Sequence, residues 1–222
     1  MEEVTYEDGE IPMTSISNEE NGSNQTYNGY KNKSNYSSSS NGNGYVKKPF
    51  KPTEPSIKVI YTDGGSRALN LTSGKHLVGA WSFYDETSNE IRGKAEDNAT
   101  NNQMELMAVL SALEYLNELG VAKDQWVTIK LDSDYVRYGI LFWIKKWIAN
   151  GWRRQNKDGQ LEEVKNRDLW EKIHDLSTAR KVYWEHVPAH SGFEGNEKVD
   201  TKCGQLIQEF IDNAELMNDV VK

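Results

Sequence analysis

The spacing of hydrophobic and polar positions changes character near residue 56. Before it, the run "SNEENGSNQTYNGYKNKSNYSSSSNGNGY" carries almost no aliphatic side chains. Such a segment cannot bury enough apolar surface to offset its ordering entropy. Residues 1–55 are therefore expected to form a disordered Ser/Asn/Gly-rich tail and linker, ending in "KKPFKPTEP". From Ile57 the apolar residues recur with regular periods. "IKVIYT" reads as a strand that Asp63 closes, because the "DGGS" after it is ordinary turn chemistry. "KHLVGAWSFYDETSNEIRGKAE" reads as two strands around a turn at "ETSN". "TNNQMELMAVLSALEYLNELG" reads as a helix. Thr100 and Gln103 fit a capping box, Gly120 fits the stop signal, and Leu106, Val109, Leu110, Leu113 and Leu116 form one stripe. "QWVTIKL" alternates Trp126, Thr128 and Lys130 against Val127, Ile129 and Leu131, a strand pattern. Short helical stretches follow through "DYVRYGILFWIKKWIANG", then a helix in "NRDLWEKIHDLS" and a strand in "KVYWEHV". A last helix over about 196–212 aligns Val199, Cys203, Leu206, Ile207 and Phe210. This order predicts an α/β domain over residues 56–215, a mixed sheet flanked by helices, with 216–222 as a short C-terminal tail.

Composition narrows the setting. The 222 residues contain one cysteine, Cys203, so neither a disulfide framework nor a thiolate zinc site can be built. The chain lacks an apolar run of about 18 residues, which predicts no membrane span. Its N-terminus is acidic, without arginine or the apolar core of a signal peptide. An intracellular protein of the cytoplasm or nucleus, not a secreted one, is expected. The net charge of −8 argues against nucleic acid, yet charge is local. Between Trp143 and Arg167 stand seven Lys or Arg against three acids, interleaved with tryptophan, the pattern of phosphate tracking. Tyrosines and lysines also alternate in the tail, where a plain linker competes with a weak single-strand tether.

Four acids sit where elements begin or end: Asp63, Glu105, Asp132 and Asp200. Each has an ordinary structural reading. Glu105 suits a helix start, Asp132 or Asp134 could cap a helix, and Asp200 could be a solvated helix residue. Together they say more. If strands one and four are neighbours, Asp63 and Asp132 lie about one strand spacing, ~5 Å, apart. Carboxylates that close repel unless a cation sits between them. Hard oxygen donors in number are what Mg²⁺ prefers.

"YTDGG", "TNNQMEL", "LDSDYVRYGI", "NRDLW" and "HVPAHSGFEGNEKVD" follow one another in order. The set closely resembles type 1 ribonuclease H over about residues 57–212. That resemblance implies the ribonuclease H-like fold, with a five-stranded mixed sheet in the order 3-2-1-4-5. It implies hydrolysis of the RNA strand of RNA–DNA hybrids, giving 5′-phosphate and 3′-OH ends. Two Mg²⁺ ions, or Mn²⁺ in their place, are implied at Asp63, Glu105, Asp132 and Asp200, with Asp63 bridging and Glu105 also meeting the ribose 2′-OH. His190 matches the family's loop histidine for proton transfer or product release, and Asn196 supports that loop. Tyr135, Trp143 and Trp147 are implied to contact the DNA strand, with Lys145 and Lys146 on the basic protrusion. Thr100 and Asn166 are implied to take a DNA phosphate, and Asn101 and Asn102 to reach the minor groove, where 2′-hydroxyls are displayed. Two departures stand out: Gln103 replaces a common arginine, and "EDNAT" lacks the arginine that some members use for phosphate. The tail has no pattern of the family's N-terminal hybrid-binding domain. A monomer without an obligate protein partner is expected. Competing readings are a silent nucleic-acid binder of the same fold, a structural metal domain, and a nuclease domain of a larger polymerase.

Overall fold

The computed structural model describes residues 52–71, 74–156, 158–189 and 191–220. The expected tail lies outside them up to Lys51, and so does His190. Seven strands and five α-helices follow in the order β1 (Lys58–Leu71), β2 (Gly74–Asp85), β3 (Glu90–Asp97), α1 (Asn101–Glu118), β4 (Val127–Leu131), α2 (Asp134–Tyr138), α3 (Ile144–Ala149), β5 (Arg153–Gln155), β6 (Leu161–Glu163), α4 (Arg167–Thr178), β7 (Val182–His186) and α5 (Glu194–Val220). The main sheet has five strands in the order β3-β2-β1-β4-β7. It is mixed: β1 pairs antiparallel with β2, and parallel with β4. This is the expected topology, with the last strand renumbered because a small β5–β6 hairpin intervenes.

The first correction concerns β1. It does not end at Asp63 but continues to Leu71, fourteen residues in all. The "DGGS" segment is extended, with Asp63 opposite Ser82 and Gly64 opposite Trp81 of β2. Antiparallel pairing along a full hairpin outweighs the local turn preference of Asp-Gly. What does end near Asp63 is the parallel ladder to β4, whose last pair is Thr62 and Leu131. The final helix also runs further than its stripe predicted, from Glu194 to Val220.

Helix α1 starts as its sequence says. Thr100 Oγ1 accepts from Gln103 N at 3.3 Å, and Gln103 Oε1 accepts from Thr100 N at 2.9 Å. Its apolar face joins Ile60 of β1, Val127, Ile129 and Leu131 of β4, and Trp170 and Ile173 of α4 in the main core. The opposite sheet face is covered by α5, where Cys203, Ile207 and Ile211 pack on Val78 and Ala80. Alternation along β1 sends Ile60 to the α1 side and Tyr61 to the α5 side, against Val199. Among the described residues, no helix is long and apolar enough to cross a membrane.

At the end of β2, Asp85 is fully buried and fully occupied. It accepts from Lys58 Nζ at 2.6 Å, Ser88 Oγ at 2.6 Å, Thr87 N at 2.9 Å and Tyr115 Oη at 3.3 Å. Burial alone would raise its pKa, but the Lys58 and Ser88 hydrogen bonds and the Lys58 charge outweigh it and hold the carboxyl below its ordinary value. Removing one partner of a buried pair leaves the other uncompensated, so Asp85→Ala should cost about 3 kcal/mol at pH 7 by denaturant unfolding. Because the folded pKa is lowered, this stability is present above the unfolded value and is lost as pH falls through the folded one. The gap between wild type and variant should therefore shrink in acid; a gap constant with pH contradicts the assignment.

Candidate functional site

Asp63 lies one residue beyond the parallel β1–β4 ladder, and Asp132 is the first residue after β4. The two carboxylates thus leave neighbouring strands at the same end. Glu105 arrives from above the sheet, on the second turn of α1. It can come this close because the residue after Asp63 is glycine. A Cβ on Gly64 would stand 2.1 Å from Glu105 N and 2.2 Å from Met104 C, so the helix backbone rests directly on the strand. A second glycine does the same for α5: a Cβ on Gly195 would meet the Tyr61 ring at 2.3 Å.

One carboxylate oxygen from each of Asp63, Glu105 and Asp132 lies within 4.8 Å of the other two. Asp63 and Glu105 are buried, 9 % and 7 % exposed. Neither Asp132 nor Asp134 caps α2. Ser133 does, accepting from Val136 N at 3.4 Å, and this leaves the Asp132 carboxylate for the cluster. Asn196 Nδ2 donates to Asp132 Oδ2 at 3.2 Å. Asn196 itself is buried, and its Oδ1 has no hydrogen-bond partner. Asp200 stands apart from the tight trio, exposed on α5, yet near enough for its charge to act on Asp63.

The electrostatic cost is plain. Burial, then the charges of Asp132 and Asp200, push the Asp63 pKa up to about 7. Burial, then the charges of Asp63 and Asp132, drive Glu105 well above the ordinary carboxylate range. Cys203 donates from Sγ to the Asp63 carbonyl at 3.5 Å, and burial raises its thiol strongly. The donor set is all hard oxygen, concentrated and under-compensated. With the orphaned Asn196 Oδ1 beside it, this arrangement fits a divalent cation.

A second group of expected residues lies around α3. A π-helical turn, Gly139–Trp143, links α2 to α3. Gly139 admits the Trp170 ring, which a Cβ there would meet at 2.0 Å. Trp143 packs against Tyr135 and Trp147 at centroid distances of 6.1 and 5.7 Å, and Trp147 meets Trp170 edge-on at 5.4 Å. Trp147, 7 % exposed, packs in the core and leaves little surface free. Trp143 and Tyr135 are half-buried, and Lys145 and Lys146 are exposed. Tyr135 Oη accepts from Trp170 Nε1 at 3.2 Å. Thr100 caps α1 and is half-buried; Asn101 is exposed and Asn102 half-buried in the turn above. Asn166 holds a left-handed backbone, φ 56°, at the α4 N-cap position and makes no side-chain cap bond. The β5–β6 hairpin escaped sequence reading, because three-residue strands show no periodicity. The cue was "NGW", where Gly151 and Trp152 both take positive φ and turn the chain out of α3.

Comparison with known proteins agrees with this geometry. The sequence model of one family, RNase H, matches residues 55–208. The Ribonuclease H of Francisella philomiragia is 38 % identical over 160 residues, spanning 71 % of this chain and 95 % of its own. That of Ruthia magnifica is 40 % identical over 142 residues, 64 % and 89 % of the two chains. Two solved structures share the fold. One is a foamy viral protease–reverse transcriptase in complex with dsDNA, with TM-score 0.57 and 22 % identity, covering 71 % of this chain and 98 % of that one. The other is a type 1 RNase H with the type 2 active-site motif, with TM-score 0.53 and 20 % identity, covering 71 % and 75 %.

Two outcomes follow from the cluster. A carboxyl whose folded pKa is raised contributes stability below its unfolded value, near 4, and loses it as pH rises through the folded value of about 7. In EDTA the melting temperature should fall over that window, and Asp63→Asn should flatten the fall. Mg²⁺ should then raise the wild-type melting temperature more at pH 8 than at pH 5.5. A variant that tracks wild type through the window contradicts the assignment. Separately, Gly64→Ala must move α1 off β1, since its Cβ meets backbone rather than a flexible side chain. It should weaken Mg²⁺ binding by about tenfold or more in calorimetry, in the range seen when ligand support is lost.

Proposed function

The chain belongs to the RNase H family, and from that premise we propose that it hydrolyses the RNA strand of RNA–DNA hybrids internally, leaving 5′-phosphate and 3′-OH ends, with two Mg²⁺ ions held by Asp63, Glu105, Asp132 and Asp200. The observation that carries the reading is the convergence of Asp63, Glu105 and Asp132, 63 to 132 in sequence, into one oxygen cluster. When bound, the ions supply a nucleophile at neutral pH and neutralise charge on the departing 3′ oxygen. The protein's own groups do the rest. Asp63, with its pKa near 7, releases its proton as the cation enters, so binding is pH-linked. Asn196 fixes the orientation of Asp132 through its amide. Glu105, deep in the cluster, is the acceptor nearest to a ribose 2′-OH in this reading. Asp200, exposed on α5, can follow the substrate more freely than the buried pair.

The substrate lies across the α3 surface in this proposal. Lys145 and Lys146 pair with phosphates, and Trp143 and Tyr135 offer ring faces and edges to the DNA strand. Thr100 and Asn166 take a DNA phosphate, and Asn101 and Asn102 meet the minor groove. His190 serves proton transfer or product release. A silent member of the fold has no need to bury two strained carboxyls, and a structural metal domain leaves the basic, tryptophan-rich surface without a purpose. Residues 56–215 form the catalytic unit of a monomer acting inside the cell, where its single buried thiol suits a reducing environment.

The test is cleavage of an end-labelled hybrid in Mg²⁺ by wild type and Asp63→Asn. Wild type should cut the RNA strand and spare single-stranded RNA and duplex DNA. The variant should lose more than ~100-fold, beyond what a supporting residue costs. A polymerase should extend the cut ends, reporting 3′-OH. Equal cutting by both proteins overturns the reading.

A further inference from the structure

The basic segment is less cationic than its count of lysines and arginines. In the β5–β6 hairpin, Arg153 faces Glu163 and Arg154 faces Glu162 across the ladder. Arg154 Nη2 and Glu162 Oε1 are 2.7 Å apart, on the half-buried side of the hairpin. Arg154 Nε is buried without a partner, so this guanidinium leans on Glu162 for its compensation. Arg167 is doubly held, by Glu163 at 3.2 Å and by Glu171 at 2.8 Å. The groove beside it, about 520 Å³, is lined by Glu163, Lys165, Asn166, Arg167, Asp168 and Glu171, cations and acids side by side.

We propose that Glu162 and Glu163 act as built-in stand-ins for hybrid phosphates. They occupy Arg154 and Arg167 in the free protein, and so set how tightly and how salt-sensitively the basic segment grips its substrate. The inference rests on the hybrid-binding role proposed for that segment. Its chemistry is direct. A carboxylate and a phosphate present the same paired oxygens to a guanidinium. Solvent-accessible ion pairs are worth about 0–1 kcal/mol, and these pairs, partly exposed, keep enough access for an incoming phosphate to displace the glutamate. While the arginine stays on its glutamate it neutralises no phosphate, and the nucleic acid keeps the counterion condensed there. Freed of the glutamate, it adds one full phosphate contact to the salt dependence. The two acids are not equivalent. Glu162 is the only carboxylate on Arg154 among the described residues, whereas Arg167 keeps Glu171 when Glu163 is lost.

The test uses the full chain, with Asp63→Asn added to block turnover, and measures affinity for a hybrid duplex across a salt series. Glutamine keeps the shape and a hydrogen bond and removes only the charge. Glu162→Gln should tighten binding up to about fivefold at low salt. It should also steepen the slope of log affinity against log salt, by up to about 0.9, the value of one phosphate contact. Glu163→Gln should do less, and Glu163→Gln with Glu171→Gln should match Glu162→Gln. Lys145→Glu with Lys146→Glu should weaken binding in the same assay. An unchanged slope in the glutamine variants, with the lysine reversal still effective, overturns the clamp alone. An ineffective lysine reversal as well overturns the basic segment's role with it. A lowered melting temperature together with weaker binding shows that the glutamates only brace the hairpin, and overturns the proposal.

Discussion

The backbone of α1 lies on β1 at Gly64 with no side chain between them, and the arrangement of the acids depends on that contact. An ordinary side chain there would hold the helix away by the width of a methyl group or more. Glu105 would then no longer share a cluster with Asp63 and Asp132. The same device recurs at Gly195, which brings α5 onto the Tyr61 ring and sets Asp200 within electrostatic reach of Asp63. Two glycines thus convert the ordinary packing of helices on a sheet into convergence of three carboxylates, with Asp200 of α5 near enough for its charge to act on Asp63. The sheet supplies the other half of the geometry. Parallel pairing makes β1 and β4 neighbours and ends their ladder just before the two aspartates.

Convergence is costly to the fold. Burying like charges side by side raises their protonation range and lowers stability at neutral pH unless a cation compensates. The molecule offsets this away from the cluster. One apolar core joins the sheet to α1 and α4, and a second joins it to α5. At the C-terminal end of β2, Asp85 is buried like Glu105, but it is answered by an ammonium, two hydroxyls and a backbone amide. Of these two buried acids, Asp85 meets an ammonium while Glu105 meets other carboxylates and only a backbone amide, from Gly64, and the contrast distinguishes what holds the fold from what the fold is for.

Much of this was legible in the sequence where the signal was local or periodic. The α1 cap follows directly from Thr100 and Gln103, and the α1 stripe from Leu106 to Leu116 is buried throughout. The adjacency of strands one and four holds as well. What could not be read depends on tertiary partners. Asp63-Gly64 carries turn chemistry, and only the pairing of β2 keeps it extended. Trp143 and Trp147 look alike as residues, yet Trp170 draws one of them into the core. Asp132 and Asp134 were the candidate caps in the sequence, and the α2 geometry selects the serine between them. The pairing of Arg154 with Glu162 appears only once the β5–β6 register is known. His190 lies outside the described residues, so its part in the site rests on its motif alone.

The lone thiol of Cys203 sits between α5 and β1, its sulfur on the Asp63 carbonyl and its ionisation strongly suppressed by burial. In the closed molecule it has neither the thiolate character nor the access that alkylating reagents require. Its modification must therefore await local separation of α5 from the sheet, and labelling kinetics become a built-in clock for that opening. A cation that ties Asp200 to Asp63 joins the same two elements, so metal occupancy should be recorded in the clock rate, without substrate and without a mutation.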